Sequence, residues 1–407
     1  MKSSSPAAAR FGSLQVLRHR DYAVFVGGGL MALTGQWMQR VALAWLVWEL
    51  TRSTLWLGFL SAADLLPATL IGLVGGAIAD RVNRYRLVRG CYGATIVAAL
   101  VFGGLELAGQ LGPRAILVLV LLQGISIALS HPARLALLQS LVPREDSGRA
   151  VAVGAVTVNM ARLIGPAMGG WLIYYFGISA VFFLCAAMQL VFLACFLIVP
   201  DPQEQRAPRP SGSILSEIRD GVVYLWRIPV MPEVLVFLLM SGVFLRSMVE
   251  LVPAFAARGF EVSAIGVAVM SSTMAAGAVL SGLTVNPGAD PSWLVPKIKL
   301  CWVIASLAVC VLAFSTAAVP AVCAMAVLGC FMTRGMIMTQ TYIQMTVSDR
   351  MRGRAVSIFA LLSRGSPLFG ALAVGAAADR LGLTLPVMTS GAVMLVFSGL
   401  ALLRQGR

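Results

Sequence analysis

The 407-residue chain is 59% apolar and only 12% charged, with 31 Lys and Arg against 17 Asp and Glu and a formal net charge of +14. Soluble domains carry about 25% charged residues, so a water-soluble fold is excluded and the remaining solvent is lipid, which asks for apolar spans of about 20 residues. The basic excess does not mark a nucleic-acid binder, because the cations are scattered through short connectors rather than gathered on one polar domain.

In chain order, the N-terminal arm MKSSSPAAARFGSLQVLRHRDY is basic and too polar for a cleaved signal peptide. Apolar runs of spanning length then recur near 22–48, 54–79, 87–109, 114–138, 149–175 and 178–199. After a polar break they resume near 230–256, 262–285, 294–316, 319–343, 353–377 and 384–403. These twelve runs do not alternate polar and apolar residues, so a membrane barrel is excluded and each is expected to be a helix. The expected fold is an all-α membrane protein of twelve transmembrane helices in two six-helix bundles, 1–200 and 230–407. A cytoplasmic linker, 201–229, joins them and ends in a short interfacial helix around Ile214–Trp226. Seven cysteines lie mostly inside apolar runs without metal-ligand spacing, and they read as small buried apolar residues.

The arginines and lysines set the topology. Alternate connectors and both termini hold 22 of them, and the opposite connectors hold only Arg52, Arg114, Arg258 and Arg380. By the positive-inside rule both termini are expected in the cytoplasm. A shift of 205 residues places Gln139 on Gln344, Gly148-Arg149-Ala150-Val151 on Gly353-Arg354-Ala355-Val356, Gly165 on Gly370, Gly170 on Gly375 and Gly177 on Gly382. An even number of spans separates the copies, so the two halves repeat in parallel about an axis along the membrane normal.

Two motifs sharpen this picture. Gly76-Ala77-Ile78-Ala79-Asp80-Arg81-Val82-Asn83-Arg84-Tyr85-Arg86, after the second span, resembles the loop motif G-x-x-x-D-R-x-G-R-R of the major facilitator superfamily. Asn83 stands where glycine is usual, and Asn tolerates a left-handed turn. Tyr85 stands where a basic residue is usual. Gly165-Pro166-Ala167-Met168-Gly169-Gly170, on the fifth span, resembles the G-P-x-x-G-G motif associated with proton-driven exporters. In the second half Asn286-Pro287-Gly288-Ala289-Asp290 occupies the loop-motif position without the Asp-Arg pair. The segments GQWMQRVALAWLVWELTRS and LVPREDSGRAVAV resemble the branch of the superfamily containing the enterobactin exporter and macrolide-efflux proteins.

The resemblance implies alternating access, with a central cavity lined mainly by the first, fourth, seventh and tenth spans. It also implies gating roles for Gly76, Asp80, Arg81, Arg84, Arg149, Gly165, Pro166, Gly169, Gly170 and Arg354. Asp80 would face the start of the eleventh span and latch the cytoplasmic side; the alternative is a basic loop that only fixes topology.

Five arginines remain inside the spans: Arg40, Arg162, Arg246, Arg334 and Arg364. Each costs about 2.5–3.5 kcal/mol at a helix centre on insertion scales, so each needs a partner or water. Arg162 and Arg364, near cytoplasmic ends, are expected to brace the bundle. Gln36, Arg40, Gln123, Arg246 and Arg334 are expected to bind substrate, because all lie on the four lining spans. Gln36 and Arg40 share a face, and Arg246 and Glu250, four apart, share another and are expected to pair with each other. Asp64 and Glu250 are the proton-coupling candidates, since burial raises a carboxyl pKa and a nearby arginine lowers it again. Trp37 is expected to pack or face lipid, and His131-Pro132 to kink a helix end.

The expected function is proton-coupled export of a small anionic or amphiphilic molecule, a siderophore being the leading case, from a bacterial inner membrane. It needs no cofactor beyond the proton gradient. Its partners would be a small-molecule substrate and membrane lipid, no nucleic acid, and an outer-membrane partner left open; the chain is expected to work as a monomer. Multidrug or macrolide efflux is the first alternative, an uptake symporter the second. A channel lacks a filter sequence, and an intramembrane enzyme lacks HExxH, GxSxG or any paired nucleophile and base.

Overall fold

The computed structural model describes residues 13–79, 83–199, 214–260, 263–285 and 291–403. Among them there is no strand. The helices are α1 (Arg20–Thr51), α2 (Thr54–Ala79), α3 (Arg84–Leu107), α4 (Pro113–Ser140), α5 (Ser147–Phe176), α6 (Ile178–Ile198) and α7 (Ile214–Trp226). They continue with α8 (Met231–Phe244), α9 (Val252–Gly259), α10 (Ser263–Thr284), α11 (Leu294–Phe314), α12 (Ala318–Thr346), α13 (Asp349–Leu381) and α14 (Thr384–Leu403). Taking α8 and α9 as the two parts of one span and setting the linker helix α7 aside, the described residues hold twelve helical segments in the order expected of twelve spans. Eleven of these spans are long and apolar enough by composition among the described residues. The remaining one, α1, has 32 residues, ample to cross at 1.5 Å per residue, but Gln36, Gln39 and Arg40 dilute its centre.

Long apolar runs become helices here because lipid offers no partner for a bare peptide group. Many hydroxyls within them bond locally: Ser306 donates to Trp302 O at 2.6 Å and Ser398 to Met394 O at 2.6 Å, the i−4 bond that lets serine sit in an apolar helix. The seventh span is broken. A 3-10 segment, Arg246–Leu251, separates α8 from α9, and Pro253 stands in the first turn of α9. Proline has no N–H for the i−4 bond and fits best in the first turn of a helix. Arg246 and Glu250 both fall in this segment. At three residues per turn a four-residue step rotates the side chain by about 120°, so the shared helical face expected from their spacing is lost. Pro132, expected at a helix end, lies inside α4, which runs on to Ser140.

By contact the chain forms two compact units. The first comprises Met1–Ala42, Val74–Leu111 and Leu122–Arg209; the second comprises Leu43–Leu73, Gly112–Leu121 and Pro210–Arg407.

The first unit is built around an aromatic cluster. Phe25 meets Phe192 edge-on with ring centroids 5.6 Å apart, Tyr92 approaches Phe192 at 4.4 Å, and Tyr85 stacks on Phe196 at 4.4 Å. The last contact explains the departure at Tyr85. Its hydroxyl donates to Phe196 O at 2.9 Å, closing α3 onto the end of α6. Asn83 is not left-handed, as expected for a glycine substitute, but extended (φ −62°, ψ 115°). Its side chain caps α3, accepting from Arg86 N at 2.9 Å.

In the second unit, α10 and α12 meet through glycines. A Cβ on Gly277 would run into Ala326 O, and one on Gly329 into Met274 O, the close backbone approach that small residues allow in membranes. The amphipathic linker helix α7 has the predicted bounds and docks on the start of α13. Gly221 admits Ile358 and Arg354, Asp220 lies 3.7 Å from Arg354, and the Tyr224 hydroxyl is 3.1 Å from Ser348 Oγ. That hydrogen bond holds the Tyr224 phenol below its usual pKa. Lys299, which read as a topology-setting cation, is buried in α11. Its Nζ is 2.7 Å from Glu233 on α8 and donates to Ala401 O on α14 at 3.0 Å.

The 205-residue repeat appears in the backbone. α5 ends at Gly177 with φ 81° and ψ 169°, and α13 at Gly382 with φ 76° and ψ 161°, a region essentially reserved for glycine. Gly165 and Gly370 also act alike. A Cβ on Gly165 would lie 2.6 Å from Trp37 Cβ and 2.8 Å from Thr34 O on α1, and one on Gly370 would strike Val243 O on α8.

Candidate functional site

In the first unit the predicted residues lie along one stripe of α1. Phe25, Gly29 and Leu33 line a cavity of about 220 Å³ with His131 and Arg134 of α4 and Val158 of α5. Gln36, Trp37 and Arg40 continue the stripe at helical spacing. On α5 the same wall leads from Val158 to Arg162, one turn on. The two guanidiniums converge on one ring: Arg40 Cζ is 5.5 Å from the Trp37 centroid and Arg162 Cζ is 4.9 Å from it. Each is within cation–π range. Trp37 is therefore the platform that joins Arg40 to Arg162, not a lipid-facing residue. Arg162 braces α5 against α1 through it.

Gln123 sits elsewhere. It is buried and exchanges amide bonds with Gln39 in both directions, at 3.0 and 3.3 Å. Cys185 donates to Gln39 Oε1 at 3.0 Å and receives Gln189 Nε2 at 3.0 Å. The result is a polar network joining α1, α4 and α6. Sequence reasoning passed over Gln39 and Gln189, although an amide in an apolar run always asks for a partner. Arg134, counted among the connector cations, lies instead in the cavity wall.

In the second unit Arg334 on α12 donates to Thr284 Oγ1 on α10 at 2.6 Å and lies 5.9 Å from the Phe331 ring centroid. Asp64 on α2, Arg246 and Glu250 are all half-buried, whereas Arg364 on α13 is exposed. Of the motif residues, Asp80 and Arg81 lie outside the described residues, Gly76 falls in the last turn of α2 and Arg84 opens α3. Pro166 lies within α5 between the packing glycines Gly165 and Gly169, the latter against Met38, and Gly170 is buried beside it.

The repeat-related arginines each meet a carboxylate. Arg354 faces Asp220; Arg149 Nη1 bonds Asp146 at 2.8 Å, and His19 Nε2 approaches the same carboxylate at 3.1 Å. Tyr22 seals this corner by donating to Ala150 O at 2.8 Å. The His19 and Arg149 hydrogen bonds hold Asp146 below the usual carboxylate pKa. A depressed folded-state pKa contributes stability above the unfolded value and loses it as pH falls through the folded value. Asp146→Asn is therefore expected to flatten the acid side of the stability profile below about pH 4, read as thermal midpoints in nanodiscs. A profile of the Asp146→Asn variant parallel to wild type would refute the linkage.

A helical bundle with cationic and amide side chains at membrane depth beside a cavity defines a membrane transporter. The chain belongs to the family described as transmembrane secretion effectors, within the major facilitator superfamily, which it matches over residues 11–405. Among curated proteins it is 32% identical over 176 residues to the enterobactin exporter EntS of Shigella boydii, covering 42% of this chain and 41% of that protein. It is 25% identical over 177 residues to the staphyloferrin A transporter of Staphylococcus aureus, covering 43% and 44%. It is also 34% identical over 155 residues to a multi-drug resistance efflux pump PmrA homolog of Lactococcus lactis, covering 37% and 36%. The chain thus spans less than half the length of the curated relatives it matches. Solved structures share the fold: the nucleoside transporter NupG at a TM-score of 0.73 and 14% identity, covering 95% of this chain and 99% of that one, and a peptide transporter POT at 0.75 and 13%, covering 97% and 98%.

Proposed function

We propose that the protein is a proton-coupled exporter of a small anionic amphiphile, of siderophore type, working by alternating access in a bacterial inner membrane with both termini in the cytoplasm. The observation that carries this reading is the convergence of Arg40 and Arg162 on Trp37 beside an apolar cavity. Two guanidiniums on one aromatic ring repel a lipophilic cation and attract a carboxylate or catecholate, while the aliphatic wall accepts the rest of the ligand. Arg246 and Arg334 add to the same cationic balance. Similarity to the enterobactin exporter and the staphyloferrin A transporter supports the same ligand class. Glu250, in the 3-10 break of the seventh span, is the proton carrier of this reading, with Asp64 as the second carboxylate.

The test is mass spectrometry of culture medium and cell extract from deletion and complemented strains in iron-poor and iron-rich growth. An anionic chelator is expected to fall in the medium and rise in the cells of the deletion strain, only when iron is scarce. Wild-type protein restores export, Arg40→Gln does not, and Glu250→Gln exports without responding to a protonophore. The cavity's largely apolar lining favours a second reading, drug efflux. Unchanged chelator levels together with lost macrolide resistance would establish it and remove the first.

A further inference from the structure

The end of α13 reads Gly375-Ala376-Ala377-Ala378-Asp379-Arg380-Leu381-Gly382. This is the order G-x-x-x-D-R-x-G of residues 76–83, placed at the other end of a span and with its last glycine intact. It lies on the arginine-poor side, away from 286–290. The carboxylate of Asp379 accepts from Thr54 N at 2.6 Å, Leu55 N at 3.3 Å and Thr54 Oγ1 at 2.6 Å, and from the Ser53 hydroxyl. Ser53 Oγ in turn accepts from Trp56 N at 3.3 Å. The first three N–H groups of α2 are thus satisfied, two of them by a residue more than 300 positions away. Glycines bring the helices together: a Cβ on Gly375 would lie 2.6 Å from Thr54 O, and one on Gly58 would lie 2.8 Å from Ala371 O.

We propose that Asp379 and the start of α2 form a releasable clasp, made when the arginine-poor face of the transporter is closed and broken when the cavity opens to that face. Three features suit a contact that opens. Asp379 is exposed, so water can take over its hydrogen bonds on release. Ser53 remains as the cap of α2, so the helix does not unravel when Asp379 leaves. A carboxylate against a helix N-terminus is a polar contact that loses little apolar burial on parting. The clasp rests on the alternating-access reading above.

Spin labels at Arg52→Cys and Leu381→Cys, both exposed, with the seven native cysteines replaced by serine, report the clasp by pulsed electron resonance in nanodiscs. The wild-type background is expected to show mainly one short distance. Asp379→Asn should raise the long-distance fraction about fivefold, the usual scale for losing a helix cap. A separate Ser53→Cys/Asp379→Cys pair covers the case in which Asp379→Asn fails to fold: oxidation should stop export and reductant restore it. An unchanged distance distribution in Asp379→Asn, or full export by the oxidised pair, overturns the clasp. The spectroscopic arm needs no cargo, so its failure is separable from failure of the export assignment.

Discussion

Replacing Glu233 with glutamine is expected to lower the thermal midpoint of the protein by several degrees, and replacing Glu233 and Lys299 together with leucine and methionine to recover most of the loss. The Lys299 side chain is 2% exposed and its only anionic neighbour among the described residues is Glu233, 2.7 Å away and 36% exposed. Removing one member of a fully buried pair costs about 3–5 kcal/mol, because the other charge is stranded. Water at Glu233 softens this to about 2 kcal/mol. The Ala401 carbonyl keeps one hydrogen bond in the single variant but neutralises nothing. An apolar pair of similar volume strands no charge, so the double variant is expected within about 1 kcal/mol of wild type. Thermal unfolding of Glu233→Leu, Lys299→Met and the double, read as a cycle beside Glu233→Gln, decides the matter. A single Glu233→Gln variant as stable as wild type would show that Lys299 does not depend on the pair.

The second large effect is expected at the repeat-related glycines. Gly165→Ala places its methyl carbon 2.6 Å from Trp37 Cβ and 2.8 Å from Thr34 O, and Gly370→Ala strikes Val243 O. Backbone atoms cannot turn aside, so α5 must move off α1, or α13 off α8. Overpacking of this kind costs about 1–3 kcal/mol, and leucine in place of alanine is expected to abolish folded protein. At Gly165 the damage reaches the site, since Trp37 is the ring that Arg40 and Arg162 share. Gly148 and Gly353 are matched controls: they align in the same repeat, and a Cβ on either meets nothing within 4 Å. Alanine there is expected to be neutral or stabilising by up to about 1 kcal/mol. Gel-filtration yield and thermal midpoint of the four alanine variants test the contrast. Equal behaviour of all four would mean that the close contacts are not limiting.

The span pattern and the linker helix could be read from the chain because lipid imposes a length and an apolarity on every segment independently of its neighbours. The same holds for the pairing of Gly177 with Gly382, which a repeat alignment finds without any contact, though their positive φ is read only from the backbone. What escaped was set by partners far along the chain. Lys299 sits among connector cations in the sequence, and only α8 and α14 reveal it as a core residue. Tyr85 and Asn83 looked like erosion of a motif, yet one bonds the end of α6 and the other caps α3. The shared face of Arg246 and Glu250 was lost for a local reason: both fall in the 3-10 segment ahead of Pro253, whose period differs from that of an α-helix. Within the candidate site Arg40 was accessible to cost arguments about charge in lipid. Trp37 was not, since an aromatic ring is equally at home against lipid, protein or a cation.

The Lys299 cluster also bears on how the chain is made. Its partners lie on both sides of it in time as well as in space, with Glu233 synthesised earlier and Ala401 in the final helix. When α11 leaves the ribosome its ammonium can meet the glutamate but not the carbonyl. A chain truncated before α14 would leave the Lys299 ammonium with Glu233 alone, one hydrogen bond short of its place in the full chain.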